Sequence, residues 1–105
     1  MINNDYLNYV SDQLTEIGEF ETKKMFGGIG FFKDGNMFAM IGNNVFRLKV
    51  DESNQADFEK HGMKPYHSDT KKKGMPYWEV PEGILNDKKE LAKWASKSIQ
   101  LSTTK

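Results

Sequence analysis

The sequence predicts an α+β domain in which an antiparallel β-meander, joined by one or two later strands, packs with three helices. Three observations carry this expectation. Leu7, Val10, Leu14 and Ile17 recur at spacings of three and four, which puts them on one helix face. Residues 20–50 consist of short apolar runs broken by Asp34-Gly35 and Gly42-Asn43-Asn44. From Asn86 or Asp87 onward the apolar residues return to helical spacing. The expected order is α-β-β-β-β-α-β-β-α in a single unit of residues 1–105.

The first helix should start at Asn3 or Asn4, either of which can cap it, and Asp5 suits the positive end of its dipole. Gly18 is the expected stop. Residues 20–26 read as the first strand, with Gly27-Gly28 as punctuation before Ile29-Gly30-Phe31-Phe32. Asp34-Gly35 between apolar runs is a strong hairpin signal, because tight hairpin turns need positive φ. Met37-Phe38-Ala39-Met40-Ile41 forms the returning strand. Strict alternation then places Phe46, Leu48 and Val50 inward and Arg47 and Lys49 outward. A short helix follows at residues 53–60, capped by Asp51 or Ser53 and ended by His61-Gly62. Pro65-Tyr66 is extended, residues 69–74 are a polar loop, and residues 75–80 are a strand entered through Pro76. Residues 81–85 form a turn or a single helical turn. Asp87 and Glu90 have capping-box spacing for the last helix. Its buried stripe is Leu91, Trp94, Ala95, Ser98 and Leu101 or Ile99.

The strand over residues 37–41 does not alternate. Met37, Ala39 and Ile41 should point one way, and Phe38 and Met40 the other. Both faces are apolar, so both need cover. Helices on each face would supply it. A partner or a second copy docked on Met37, Phe38 and Met40 would also do so.

Composition narrows the function classes. A chain of 105 residues holds one core without a disulfide or metal staple, and it has no cysteine for either. Zinc–thiolate sites and cysteine nucleophiles are thereby excluded. No apolar stretch nears the roughly 20 residues that span a bilayer. The start, Met1-Ile2-Asn3-Asn4-Asp5, lacks a signal peptide's basic and apolar regions, so a cytoplasmic location is expected. Net charge is +0, whereas a general nucleic-acid binder is usually basic. The charge is unevenly placed. Residues 1–52 hold 5 basic against 8 acidic side chains, and residues 53–105 hold 10 against 7.

Few residues suggest chemistry. Gly27-Gly28-Ile29-Gly30 leads into a strand, and no Gly-Lys-Ser or Gly-Lys-Thr follows, so a bulge or close backbone approach is preferred over a phosphate loop. His61 and His67, with Asp69, match no common zinc spacing and read as surface residues. No serine sits in a nucleophile elbow, and nothing gathers the carboxylates. The sequence therefore predicts no catalytic residue, no metal and no cofactor. The best nucleic-acid-like feature is Lys71, Lys72 and Lys73 with Tyr77 and Trp78 just beyond, aided by Arg47 and Lys49. The plainer reading packs at least one of those aromatics in the core and leaves the lysines to solvate a loop.

Taken together, the segments resemble the N-terminal domain of the TfoX/Sxy family of competence regulators. The most specific part runs from Met25-Phe26-Gly27-Gly28-Ile29-Gly30-Phe31-Phe32 through Asp34-Gly35 to Phe38-Ala39-Met40-Ile41. It continues in Leu48-Lys49-Val50-Asp51, Phe58, Gly62, Pro65-Tyr66, Tyr77-Trp78-Glu79-Val80-Pro81, Leu91 and Trp94-Ala95. The resemblance implies a strongly bent antiparallel sheet packed with helices. It also implies regulation without catalysis, since members act in bacteria as positive regulators of DNA-uptake genes, as co-activators with the cyclic-AMP receptor protein. Regulators of this family carry a second, helical domain, and this sequence is expected to hold the first alone.

Three functions compete at this level. The leading one is a non-enzymatic co-activator or adaptor that contacts protein of the transcription machinery, with a homodimer compatible with the doubly apolar strand. The alternative is a nucleic-acid-binding module using Arg47, Lys49 and Lys71 to Lys73. Third comes a small enzyme with an unrecognised site. None involves a membrane.

Overall fold

A computed structural model describes residues 4–25, 28–42, 45–63, 65–66 and 75–103. Helix α1 spans Asn4–Gln13, followed by a 3₁₀ turn at Thr15–Ile17. Strands β1 (Glu21–Met25), β2 (Gly28–Lys33), β3 (Asn36–Gly42) and β4 (Val45–Lys49) form the meander. Helix α2 (Gln55–Lys60), strands β5 (Pro65–Tyr66) and β6 (Met75–Glu79), the short helix α3 (Glu82–Leu85) and the long helix α4 (Lys88–Thr103) complete the chain. This is the α+β order that the sequence predicts, with the turn after Pro81 realised as α3. The strands make one six-stranded sheet in the order β1-β2-β3-β4-β6-β5, and every described pairing is antiparallel.

The helix at the start is shorter than its apolar spacing implies. The Thr15 hydroxyl donates to the Asp12 carbonyl, and the amides of Ile17 and Gly18 reach back three residues, to Leu14 and Thr15. A hydroxyl competing for a helical carbonyl favours that tighter turn. Gly18, at φ +87°, ends it. The side-chain caps expected from Asn3 or Asn4 lie outside the described residues.

Local turn chemistry sets the meander. Asp34 and Gly35 both have positive φ, 53° and 83°, as a two-residue hairpin turn requires. At α2 the expected caps act differently. Asp51 Oδ1 accepts from the amide and the hydroxyl of Ser53, at 2.7 and 2.6 Å, and so closes the turn before the helix. These two bonds, the hydroxyl's first, hold the Asp51 carboxyl below the usual carboxylate range. The stability they lend is therefore present at neutral pH and is lost as pH falls through that depressed value. Asn54 precedes the helix and is buried. Its Oδ1 accepts from Asp51 N–H at 2.8 Å, and its amide donates to the Lys49 carbonyl at 3.1 Å. The chain leaves α2 through paired bonds from Gly62 N to Glu59 O and Met63 N to Phe58 O, with Met63 packed on the core. Asp87 caps α4 as expected, its Oδ1 accepting from the amides of Lys89 and Glu90.

All the helices contribute to one core. Val10 of α1, Leu14 just after it, Phe58 of α2, Leu85 of α3 and Leu91 and Ala95 of α4 join Ile29, Phe31, Phe38, Ala39, Ile41, Phe46 and Leu48 of the sheet. Its centre is aromatic. The Phe31 ring lies 5.4 Å from Phe46, 5.8 Å from Phe20 and 6.4 Å from Phe38. A second group joins Phe58 to Trp94 at 4.8 Å and to Trp78 at 6.2 Å. Polar bonds fix the helices to the strands and to each other. Buried Ser98 donates to the Lys49 carbonyl at 2.8 Å, Tyr6 Oη accepts from Phe46 N–H at 3.0 Å, and Gln13 donates to the Leu85 carbonyl at 2.9 Å. No helix among the described residues is long and apolar enough to cross a membrane.

Candidate interaction surface

Register sorts the sheet into two faces, because residues paired directly across antiparallel strands point the same way. One face carries the row Thr22, Phe31, Ala39, Leu48 and Trp78, beside the row Lys24, Ile29, Ile41 and Phe46. Its central residues are the sheet's share of the core. The other face carries the row Lys23, Gly30, Met40, Arg47 and Glu79. Along one flank of it run Glu21, Phe32 and Met37, and on the same flank Lys49 and Tyr77. Phe32, Met37 and Met40 are half-buried, and none of them belongs to the core cluster or packs against it. The second face is thus a partly exposed apolar patch rimmed by Glu21, Lys23, Lys49 and Glu79. The Lys23 ammonium lies over the Phe32 ring, 5.3 Å from its centroid, at the patch border.

Phe38 does not belong to this patch, contrary to the expectation from alternation. It is 0% exposed and sits in the aromatic core. The cause is a register shift between β2 and β3. Phe31 pairs with Ala39, yet Phe32 pairs with Met37, so β3 carries one extra residue at Phe38. Such a bulge lets two neighbouring residues face the same side. It returns Met37 to the second face beside Met40, and Phe32 joins them there. The signal for Phe32 was its place directly after a core residue, Phe31, in the same strand.

Arg47 is a second correction. It points to the second face as alternation predicts, but it is 9% exposed and not a free contact residue. Its Nη1 donates to the Gly42 carbonyl at 2.7 Å and to the Val45 carbonyl at 3.2 Å. The side chain therefore curls back to hold the ends of β3 and β4 together. Replacing it with methionine keeps much of the volume and removes the donors from two carbonyls. Hydrogen bonds to a charged group contribute roughly 1.5–3 kcal/mol, so Arg47→Met should cost about 2 kcal/mol. Urea titration measures the loss, and a surface contact residue would show almost no change.

The basic group expected to bind nucleic acid is not brought together by the described residues. Arg47 is consumed by the turn, and Lys49 is half-buried on the second face. Lys71, Lys72 and Lys73 lie outside the described residues. The aromatics meant to stack on bases are occupied: Trp78 packs on the core and Tyr77 is 8% exposed. Burial raises the Tyr77 phenol's pKa. His61 is exposed with its ring 5.5 Å from Trp94, while His67 and Asp69 lie outside the described residues. Among the described residues no group of three or more acidic or histidine side chains could hold a metal ion.

A sheet with helices gathered on one face, and a charged-rimmed apolar patch on the other, defines a small α+β domain of the sheet-platform kind. The model of the TfoX N-terminal domain matches residues 12–102. The chain belongs to that family. The match takes in the meander, the bulge and α4, which together build both faces. A comparison with curated proteins yields no match.

Proposed function

We propose that this domain is a non-enzymatic interaction module of a bacterial regulator of DNA-uptake genes, and that it docks a protein of the transcription machinery through the second face of its sheet. The observation that carries the reading is the row of Phe32, Met37 and Met40, half-buried and outside the core, on the face away from the helices. Methionine suits such a role, because its flexible, polarisable side chain adapts to a partner's surface. The rim of Glu21, Lys23, Lys49 and Glu79 would fix orientation and partner choice more than affinity. Membership of the TfoX N-terminal family supports a competence-related task.

The test is genetic and structural together. Deleting the gene in its own bacterium should lower transcripts of DNA-uptake genes. Complementation with Met40→Asp should fail to restore them, although the purified variant melts within a few degrees of the parent chain. Transcripts unchanged by deletion would remove the regulatory reading. Full rescue by Met40→Asp would remove the docking face.

A further inference from the structure

β1 is the outermost strand of the sheet, hydrogen-bonded to β2 on one side only among the described residues. Glu21, Thr22, Lys23 and Lys24 are all exposed along it. An uncovered edge is a template for another strand, and lysines are a common device against random pairing. Here a carboxylate stands two residues from Lys23, and the order of charges makes the edge complementary to its own reverse. We infer that β1 pairs antiparallel with β1 of a second copy of this chain, with Thr22 on the two-fold axis.

The register follows from symmetry and charge. A two-fold axis between two antiparallel strands runs perpendicular to the sheet and keeps each residue on its own face. Partners must then share a face, which allows only registers centred on a residue. Centring on Glu21 sets two carboxylates against each other. Centring on Lys23 or Lys24 opposes two ammonium groups. Like charges directly opposite destabilise a strand pair. Centring on Thr22 has neither fault. Thr22 meets its own copy, a favourable cross-strand pair, and each Glu21 stands opposite the partner's Lys23, twice over. Phe20 then faces the partner's Lys24, whose hydrocarbon stem can lie along the ring. The Lys23 ammonium already lies on the second face, over Phe32, which is also the face of Glu21.

The result is two six-stranded sheets joined into one continuous sheet. Both helix layers fall on the same side, and both patches of Phe32, Met37 and Met40 fall together on the other. A partner with two sites would then meet two copies of the patch. This inference rests on the edge strand alone, so it can fail while the regulatory reading stands, and the reverse.

Charge exchange tests it on the full chain. Light scattering should give a mass rising from 12.1 kDa toward twice that value. A small interface of this kind calls for concentrations between about 10 µM and 1 mM. Glu21→Lys and Lys23→Glu should each weaken association about tenfold or more, since each turns two attractive pairs into two repulsive ones. Mixed in equal amounts, the two variants should associate as well as the parent, because one chain then offers two lysines to the other's two carboxylates. Both sites are exposed, so both variants should melt with the parent. A parent chain that stays monomeric over the whole range overturns the inference. So does a dimer that neither substitution weakens, or a loss that mixing does not repair.

Discussion

Phe31→Ala should lower the unfolding free energy by about 4 kcal/mol, the range found for deleting a buried phenylalanine. Phe31 is 0% exposed and is the hub of the aromatic core, with three rings within 6.4 Å. Its partners come from three different places: Phe20 before β1, Phe38 in the bulge of β3, and Phe46 in β4. Removing the ring leaves a void that no single neighbour can fill. Filling it from β3 would move Phe38, and its chain neighbours Met37 and Ala39 are both paired to β2. A chain of this length has roughly 5–15 kcal/mol of stability, so the variant should sit close to unfolding at room temperature. Urea titration is the measurement, with an unchanged slope showing that the unfolded state is not altered. Phe31→Leu serves as control and should cost much less, because it keeps most of the volume. A loss under about 1 kcal/mol for Phe31→Ala would mean that the four rings do not form one packed unit.

The parts of this fold that are legible in the sequence are those decided by neighbours along the chain. Asp34-Gly35 gives a hairpin because two consecutive residues must take positive φ. Asp87 caps α4 because a short acceptor stands just before a helical stripe. Phe46 and Leu48 go inward by simple alternation, and they are buried. Phe38 was illegible for the opposite reason. Its direction depends on how β3 registers against β2, and one added residue there reverses the alternation. Arg47 shows a different limit. Alternation gives its face correctly but says nothing of the carbonyls of Gly42 and Val45, which lie within its reach and bury it. Asn54 was missed because its value lies in two bonds, to Asp51 and Lys49, that only the folded turn brings together. For the candidate surface the outcome is mixed. Met40 was legible from alternation, whereas Met37, named with it as a candidate, reaches that face only through the bulge. Phe32 became visible only when register separated it from Phe31.

Gly28→Ala is the second large effect, and it isolates backbone proximity from core volume. Gly28 opens β2 opposite Met25 of β1, next to the pair Ile29 and Ile41. A Cβ placed on it would lie 2.3 Å from the Ile41 carbonyl oxygen and 3.4 Å from its carbon. Both atoms belong to the backbone, so no side-chain rotation relieves the contact. β2 would have to lift from β3 at the point where Ile29 and Ile41 are buried. Overpacking typically costs 1–3 kcal/mol, and a clash with backbone falls at the upper end, about 3 kcal/mol. In a domain of this size that lowers Tm by about 15 °C. Gly83→Ala is the matched control. Gly83 sits in α3 with nothing within 4 Å of a new Cβ, so alanine there should be neutral or slightly stabilising. If both variants melt together, the strands do not approach as closely as this at Gly28. If only Gly28→Ala melts early, Gly28 is a packing device. The glycine that a phosphate-loop reading would have assigned to an anion is then one that lets two strands touch.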